Sequence, residues 1–312
     1  MRTNTQLLII LIGLIAWLVI DLTMDFGKKT EFANLQEFAV TDTADIQSIT
    51  IQNQQQVSYL KREQNSWTIN NKPAEDGMIK VLLSILHQVK VKRLVPKNEV
   101  QQVNATLQKR GIQVTVNTDG KDFSFVTAGN QDRTVSYGQI DDQRPATLYL
   151  PGYNSYVTGI FEVQPNDWRH RAIFRSSAHS LKSVTVSYPN NPAEGFTILP
   201  DEQKWKVDHY PAADPKKIFE YLSQFGYFQV DQYIDKGQVP QVDELLQGKP
   251  SLVLTIDDIN PQQKGTLELF ETPTKEKLMA GLLNHQQIVL IDKKRVTGIF
   301  KKKQDFKADS SK

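Results

Sequence analysis

Cysteine is absent from this chain, which excludes disulfides, thiolate metal sites, a cysteine nucleophile and a lipid-modified N-terminal cysteine. Histidine is scarce. The five, at 87, 170, 179, 209 and 285, include no pair four residues apart, the spacing that puts two imidazoles on one helix face. Phosphate-cradling Gly-x-x-x-x-Gly-Lys, the Gly-x-Ser-x-Gly elbow and the His-Glu-x-x-His helix are all missing. No catalytic residue, cofactor site or metal site is therefore expected. A scattered triad stays open, because triads are defined by geometry and not by spacing. Excess positive charge is lacking too. The net charge is +2, and the segment from Lys301 onward holds five Lys against two Asp, so the remainder is slightly acidic and offers no basic body to nucleic acid.

What is present is a globular composition, 39% hydrophobic and 23% charged, in 312 residues, enough for two domains of ordinary size. One long apolar run exists, from Leu7 to Ile20, extended past Asp21 by Leu22 and Met24 and preceded by Arg2. A bilayer core asks for roughly 20 residues, with about 17 at the short end. No small-x-small cleavage site follows the run. The expectation is an uncleaved, single-pass signal anchor over 1–25 and a linker over 26–43. Lys28 and Lys29 balance Arg2, so charge alone does not orient the anchor. A hydrophobic segment starting at residue 7 is the usual export signal, which puts the body outside the cytoplasm.

Self-comparison carries the most information. Ser48-Ile49-Thr50-Ile51 recurs as Ser183-Val184-Thr185-Val186, and Trp67-Thr68-Ile69-Asn70 as Trp205-Lys206-Val207-Asp208. The apolar helical stripe Ile79, Leu82, Leu83, Leu86 recurs as Ile218, Tyr221, Leu222, Phe225. Asp214-Pro215 reads as an N-cap with proline at the first helical position, and Glu75 and Asp76 place negative charge at the matching helix start. Ile112-Gln113-Val114-Thr115-Val116 matches Leu252-Val253-Leu254-Thr255-Ile256, and Val157-Thr158-Gly159-Ile160-Phe161 returns unchanged at Val296-Thr297-Gly298-Ile299-Phe300. The expected organisation is repeat one over 44–168, an inter-repeat linker over 169–179, repeat two over 180–306 and a lysine-containing tail over 307–312. Each repeat reads as strand, hairpin, Trp-bearing strand, helix, a second helix near Glu99 to Lys109, then two or three strands. Segregated strands and helices predict an α+β fold with mainly antiparallel sheet.

Trp67-Thr68-Ile69 with Ala74 and Asp76 before an amphipathic helix, Gly111-Ile112-Gln113-Val114, and Asp167-Trp168-Arg169-His170-Arg171 together resemble the bacterial family known as domain of unknown function 4340. The resemblance covers most of the body. It implies envelope-anchored bacterial proteins without an assigned activity, companions of ABC-type transport systems of the gliding-motility kind; with the anchor, the expected place is the bacterial inner membrane with the body in the periplasm or otherwise extracytoplasmic. It implies no catalytic residues.

Trp168, Arg169, His170 and Arg171 are the candidate interface or ligand residues. They lie between the repeats, and Arg169 and Arg171 have the chemistry to clamp a carboxylate or phosphate, or to pair with acids and fix a domain angle. Trp67 and Trp205 offer binding platforms or core packing, and core packing is expected from their strand positions. Gly159 and Gly298 are expected in tight turns docked on a sheet. Asp141-Asp142 and Asp257-Asp258 lack the spaced oxygens of a calcium loop and read as turn residues. Three functions are carried forward: a non-catalytic scaffold with protein partners in an envelope complex, a module binding a small molecule or glycan in an inter-repeat cleft, and an envelope hydrolase.

Overall fold

The computed structural model describes residues 38–308, apart from 65, 120, 121, 203 and 274. The expected anchor, most of the linker before the body and the end of the tail lie outside the described residues. No helix among the described residues is long and apolar enough to cross a membrane. The chain divides into two compact units, the first ending at Trp168 and the second beginning at Arg169.

The first unit contains β1 (Ile46–Gln52), β2 (Val57–Glu63), β3 (Ser66–Ile69), β4 (Lys72–Pro73), α1 (Asp76–Gln88), β5 (Lys90–Leu94), α2 (Val100–Arg110), β6 (Ile112–Thr118), β7 (Phe123–Gly129), β8 (Ser136–Gln139) and β9 (Ala146–Tyr149). Among the described residues these strands form one nine-stranded sheet in the order β4-β3-β2-β1-β6-β7-β8-β9-β5, with every neighbouring pair antiparallel. Period-two alternation turns Ile49, Ile51, Leu60, Val114, Val116 and Phe125 to one face, where Ile79, Leu82 and Leu86 of α1 cover them. Full burial of a side chain such as Leu82 contributes about 1.5–3 kcal/mol. Ala128 points to the opposite face and packs with Val95 and with Val103 and Leu107 of α2 in a separate small cluster. Glycine is required at Gly138, where a Cβ would come within 2.6 Å of the Phe38 ring and 2.7 Å of Leu148.

The second unit contains β10 (Ala172–Phe174), β11 (Leu181–Ser187), β12 (Phe196–Asp201), β13 (Lys204–Val207), α3 (Pro215–Ser223), β14 (Phe228–Gln229), β15 (Gln232–Ile234), α4 (Pro240–Leu245), β16 (Leu252–Asp258), β17 (Gly265–Phe270), β18 (Leu278–Leu283), β19 (Gln287–Asp292) and α5 (Lys293–Val296). Its main sheet runs β13-β12-β11-β16-β17-β18-β19-β15, and β10 pairs separately with β14. Ile218, Tyr221 and Leu222 of α3 pack on Val184, Val186, Ile198 and Leu254. Tyr221 meets Phe196, Phe225 and Phe306 edge to face, with centroids 5.3–5.7 Å away. The fold is thus beta-rich α+β with antiparallel sheets, as composition and pattern predict.

Sheet edges carry the residues that discourage further pairing. Pro73 sits on β4, Lys204 and Lys206 on β13, and β5 carries Lys90, Lys92 and Arg93 with a register shift between Val91 and Arg93. Four expectations change. The strand β5 was not anticipated: its charged KVKRL sequence has no clean alternation, and it returns to the far edge to pair with β9. The end of the expected linker belongs to the first unit, since Phe38 is buried and the Val40 N–H donates to the Leu86 carbonyl at 2.8 Å. The expected inter-repeat linker 169–179 belongs to the second unit and contains β10, anchored by buried Phe174. Phe225 packs from a 3-10 turn, Gln224–Tyr227, and not from α3 itself.

Candidate functional site

Trp168 ends a 3-10 turn, Pro165–Trp168, and is wholly buried in the core of the first unit. Its carbonyl accepts the N–H of Glu75, the N-cap of α1, at 2.7 Å, which satisfies one donor that a helix start leaves open. The second unit closes in the same manner: fully buried Phe306 gives its carbonyl to the N–H of Asp214, the N-cap of α3, at 2.7 Å. Phe306 was not singled out from the sequence. The signal was available in Asp305-Phe306-Lys307, which repeats the acid-aromatic-base order of Asp167-Trp168-Arg169.

Arg169 sits over the Tyr233 ring, its guanidinium carbon 3.5 Å from the ring centroid, and its Nη1 donates to Gln287 Oε1 at 2.7 Å. Burial lowers its pKa below the usual arginine value, and Tyr233 and Asp235 pull it partly back. Burial raises the pKa of Tyr233, against the opposing pull of Arg169 and Arg171. The Tyr233 hydroxyl donates to the His170 carbonyl at 2.9 Å. The His170 Nδ1 accepts the Ala172 N–H at 3.0 Å, its Nε2 touches the Arg175 guanidinium, and its ring meets Tyr227 edge-on. Arg171 is exposed, and its carbonyl accepts the Val230 N–H at 2.9 Å beside the β10–β14 pair. Trp168 therefore serves one core, while Arg169, His170 and Arg171 organise the entry of the other.

The remaining candidates take structural places. Trp67 is buried, with the Arg62 guanidinium 4.9 Å from its ring centroid; that arginine also donates to the carbonyls of Ile46 and Thr43, each at 2.8 Å. Trp205 is half-buried against the second core, opposite Pro200 in the β12–β13 register. Gly159 lies in a 3-10 turn under the Tyr156 ring, and a Cβ on Gly298 would meet the end of the Gln224 side chain, which would have to swing aside. Thr158, next to Gly159, is buried in a hydroxyl network: its N–H donates to Ser136 Oγ at 2.9 Å, and its hydroxyl is 2.9 Å from that of Thr127. Tyr156 donates to Glu162 at 2.6 Å, and burial followed by that acid pushes its pKa well above the ordinary tyrosine value.

Asp258 corrects the expectation of a turn residue. It ends β16 and is fully buried, accepting from Ser180 Oγ at 2.9 Å and from the Asn260 N–H at 2.8 Å. Burial pushes its pKa up, but the nearby Ser176 hydroxyl, the hydrogen bonds from Asn260 and Ser180 and the adjacent Ile259 N–H outweigh this, and the net shift is downward. Its neighbour Asp257 is a half-buried partner of Lys264 at 2.8 Å.

Among the described residues, two clefts open on the second unit. One of about 370 Å3 is bordered by Ser187, Tyr188, Asp208 and His209. His209 Nε2 is 3.5 Å from Asp208 Oδ2 at this cleft. The other, of about 500 Å3, has Ile234, Leu246 and Leu282 on its walls beside Asp235, Asp243 and Gln247. Among the described residues no three metal-ligating side chains gather.

No curated protein and no solved structure matches the chain. One family model does, over residues 70–250, from the end of β3 in the first unit to the residues just before β16 in the second. The match spans more than half of the sequence and contains α1, Trp168 and Arg169. The chain belongs to the family described as Domain of unknown function (DUF4340).

Proposed function

We propose that this protein is a non-catalytic, membrane-anchored scaffold whose duplicated body stands outside the cytoplasm and holds partners in a bacterial envelope complex, such as an ABC-type transport or gliding-motility-like system. The anchor is the apolar run within residues 1–25. One observation carries the duplication: the strand order β3-β2-β1-β6-β7-β8-β9-β5 has its counterpart, strand for strand, in β13-β12-β11-β16-β17-β18-β19-β15. Finer features follow the same correspondence. The register shift between Ile46 and Ser48 in β1 has its match between Leu181 and Ser183 in β11. The Asn70 N–H bonds the Tyr59 carbonyl as the Asp208 N–H bonds the Thr197 carbonyl. Paired helix closures at Glu75–Trp168 and Asp214–Phe306 complete the parallel.

The absence of catalysis is inferred from how the polar side chains are used. Arg169 is spent on Tyr233 and Gln287, the Thr158 hydroxyl on Thr127, and Asp258 on Ser180 and Asn260. Such groups hold shape. The experiment is affinity purification of the full-length chain from its native membrane in mild detergent, with mass spectrometry of its companions. Stoichiometric envelope proteins are expected, and a chain that comes down alone in several detergents overturns the scaffold.

A further inference from the structure

The two units differ in charge along the stretch that follows their matching helix starts. Between Asp76 and Glu99 the first unit holds five Lys or Arg, at 80, 90, 92, 93 and 97, and no acid. At the offset of 139 that carries Leu82 to Tyr221, the matching stretch of the second unit, 216–237, holds three Lys, which Glu220, Asp231 and Asp235 cancel. Four of the five cations stand on β5 or just past it, and β5 is an edge strand with no partner on its outer side among the described residues. Edge protection alone does not call for them. The strand β15 takes the same edge place in the second unit with Gln232, Tyr233 and Ile234, and no Lys or Arg.

The register of β5 displays these cations. Lys90 is opposite Tyr149, Val91 opposite Leu148 and Arg93 opposite Thr147, so Lys92 is the extra residue of a bulge. Tyr149 and Thr147 are two apart and share a sheet face, which puts Lys90 and Arg93 on one side, away from Val91 and the core it packs on. Without the bulge, Arg93 would turn to the same face as Val91. Lys90, Lys92, Arg93 and Lys97 are all exposed, and among the described residues none of them makes an ion pair.

The same edge is where the N-terminal segment joins the body. Phe38 is buried, the Val40 N–H donates to the Leu86 carbonyl at 2.8 Å, and the Val40 carbonyl is 3.1 Å from His87 Nδ1, three residues before Lys90. The proposed anchor ends at Asp25, and the 13 residue steps from there to Phe38 reach at most about 45 Å. A body held that close meets the bilayer surface at high effective concentration. We propose that the basic edge from Lys90 to Lys97 lies on anionic phospholipid headgroups of the membrane that holds the anchor, and so fixes which side of the first unit faces the bilayer. Each Lys or Arg beside an anionic surface strengthens the attraction about fivefold, and salt screens it. The inference rests on the anchor of the proposed function and adds the lipid chemistry that the first unit meets.

Because the chain lacks cysteine, Gln88→Cys beside the basic edge and Lys72→Cys at the opposite sheet edge each place one fluorophore on the full-length protein. Each is reconstituted in phosphatidylcholine vesicles, with or without phosphatidylglycerol, that contain a lipid bearing a nitroxide on its headgroup. Quenching at position 88 is expected to be at least threefold stronger with phosphatidylglycerol and to lose that gain in about 1 M salt, where the screening length is about 3 Å. Position 72 is expected to show neither change. Combining Lys90→Gln, Lys92→Gln, Arg93→Gln and Lys97→Gln is expected to abolish the lipid preference while thermal unfolding stays cooperative. Equal quenching at position 88 with and without phosphatidylglycerol overturns the proposal, as does a preference that survives in the substituted chain. A label at 88 that the nitroxide lipid leaves untouched, but that native membranes shield from aqueous iodide, gives the edge to a protein partner and also overturns it. The lipid and salt comparisons keep all four cations, so they decide the matter even where the substituted chain unfolds. If the chain floats with the vesicles and position 88 is unquenched, the anchor stands and the edge is not its lipid contact. If the chain does not float, both readings fall.

Discussion

The Glu75 N–H donates to the Trp168 carbonyl at 2.7 Å, so the last residue of the first unit closes the first turn of α1 while its indole fills the core beneath. Both functions depend on Trp168 staying in place. Trp168→Ala is expected to cost about 3–5 kcal/mol, the range for emptying a buried aromatic site, in equilibrium unfolding by urea. Loss of less than about 1 kcal/mol contradicts a core role for this side chain.

Helix α3 is capped by a side chain and α1 is not. Asp214 Oδ1 accepts the Lys216 N–H at 2.8 Å, whereas Glu75 makes no such bond. Asp214→Ala is expected to lower stability by about 0.5–2 kcal/mol, the range for a lost N-cap. Unchanged thermal unfolding of Asp214→Ala would refute the assignment.

Asp258 makes stability depend on pH. Its folded-state pKa lies below the ordinary value of 3.8, so it adds stability that is present above that value and is lost as pH falls through the folded pKa. Asp258→Asn weakens bonds to Ser180 and Asn260 and is expected to cost about 1–3 kcal/mol at neutral pH. The gap between the variant and the unaltered chain should narrow as pH drops below about 4. A gap that widens in acid gives the opposite sign and rejects the account.

Arg169 separates a structural arginine from a ligand clamp. With its guanidinium over the Tyr233 ring and Nη1 on Gln287, Arg169→Ala is expected to destabilise by about 1–2 kcal/mol, as for a desolvated cation over an aromatic ring. Arg169→Lys should recover only part of that loss, because an ammonium cannot stack as a planar guanidinium does. Unchanged unfolding in both variants would return Arg169 to the surface as a free binding group.

Much of the fold was legible because burial follows local periodicity. Ile49, Ile79, Leu82 and Leu86 are buried as their spacing predicts, and Asp214-Pro215 starts a helix as its chemistry predicts. The strand β5 was hidden because an edge strand satisfies its surroundings with lysine and arginine, not with alternation. The surroundings of Arg169 were hidden for a different reason: Tyr233 and Gln287 are brought to it by the tertiary fold, and no local pattern names them.

The functional account depends on which side of the membrane the body occupies. A chain without cysteine allows a direct measurement, because one introduced thiol reports alone. Tyr153 is 69% exposed and Ile259 62%, one in each unit, while Ala128 is 1% exposed and serves as a buried control. Tyr153→Cys and Ile259→Cys are expected to react with a membrane-impermeant maleimide in cells whose inner membrane is intact, with any outer membrane permeabilised, and Ala128→Cys is expected to stay unlabelled. Labelling of Tyr153→Cys and Ile259→Cys only after the inner membrane is broken would put the body in the cytoplasm and contradict the account.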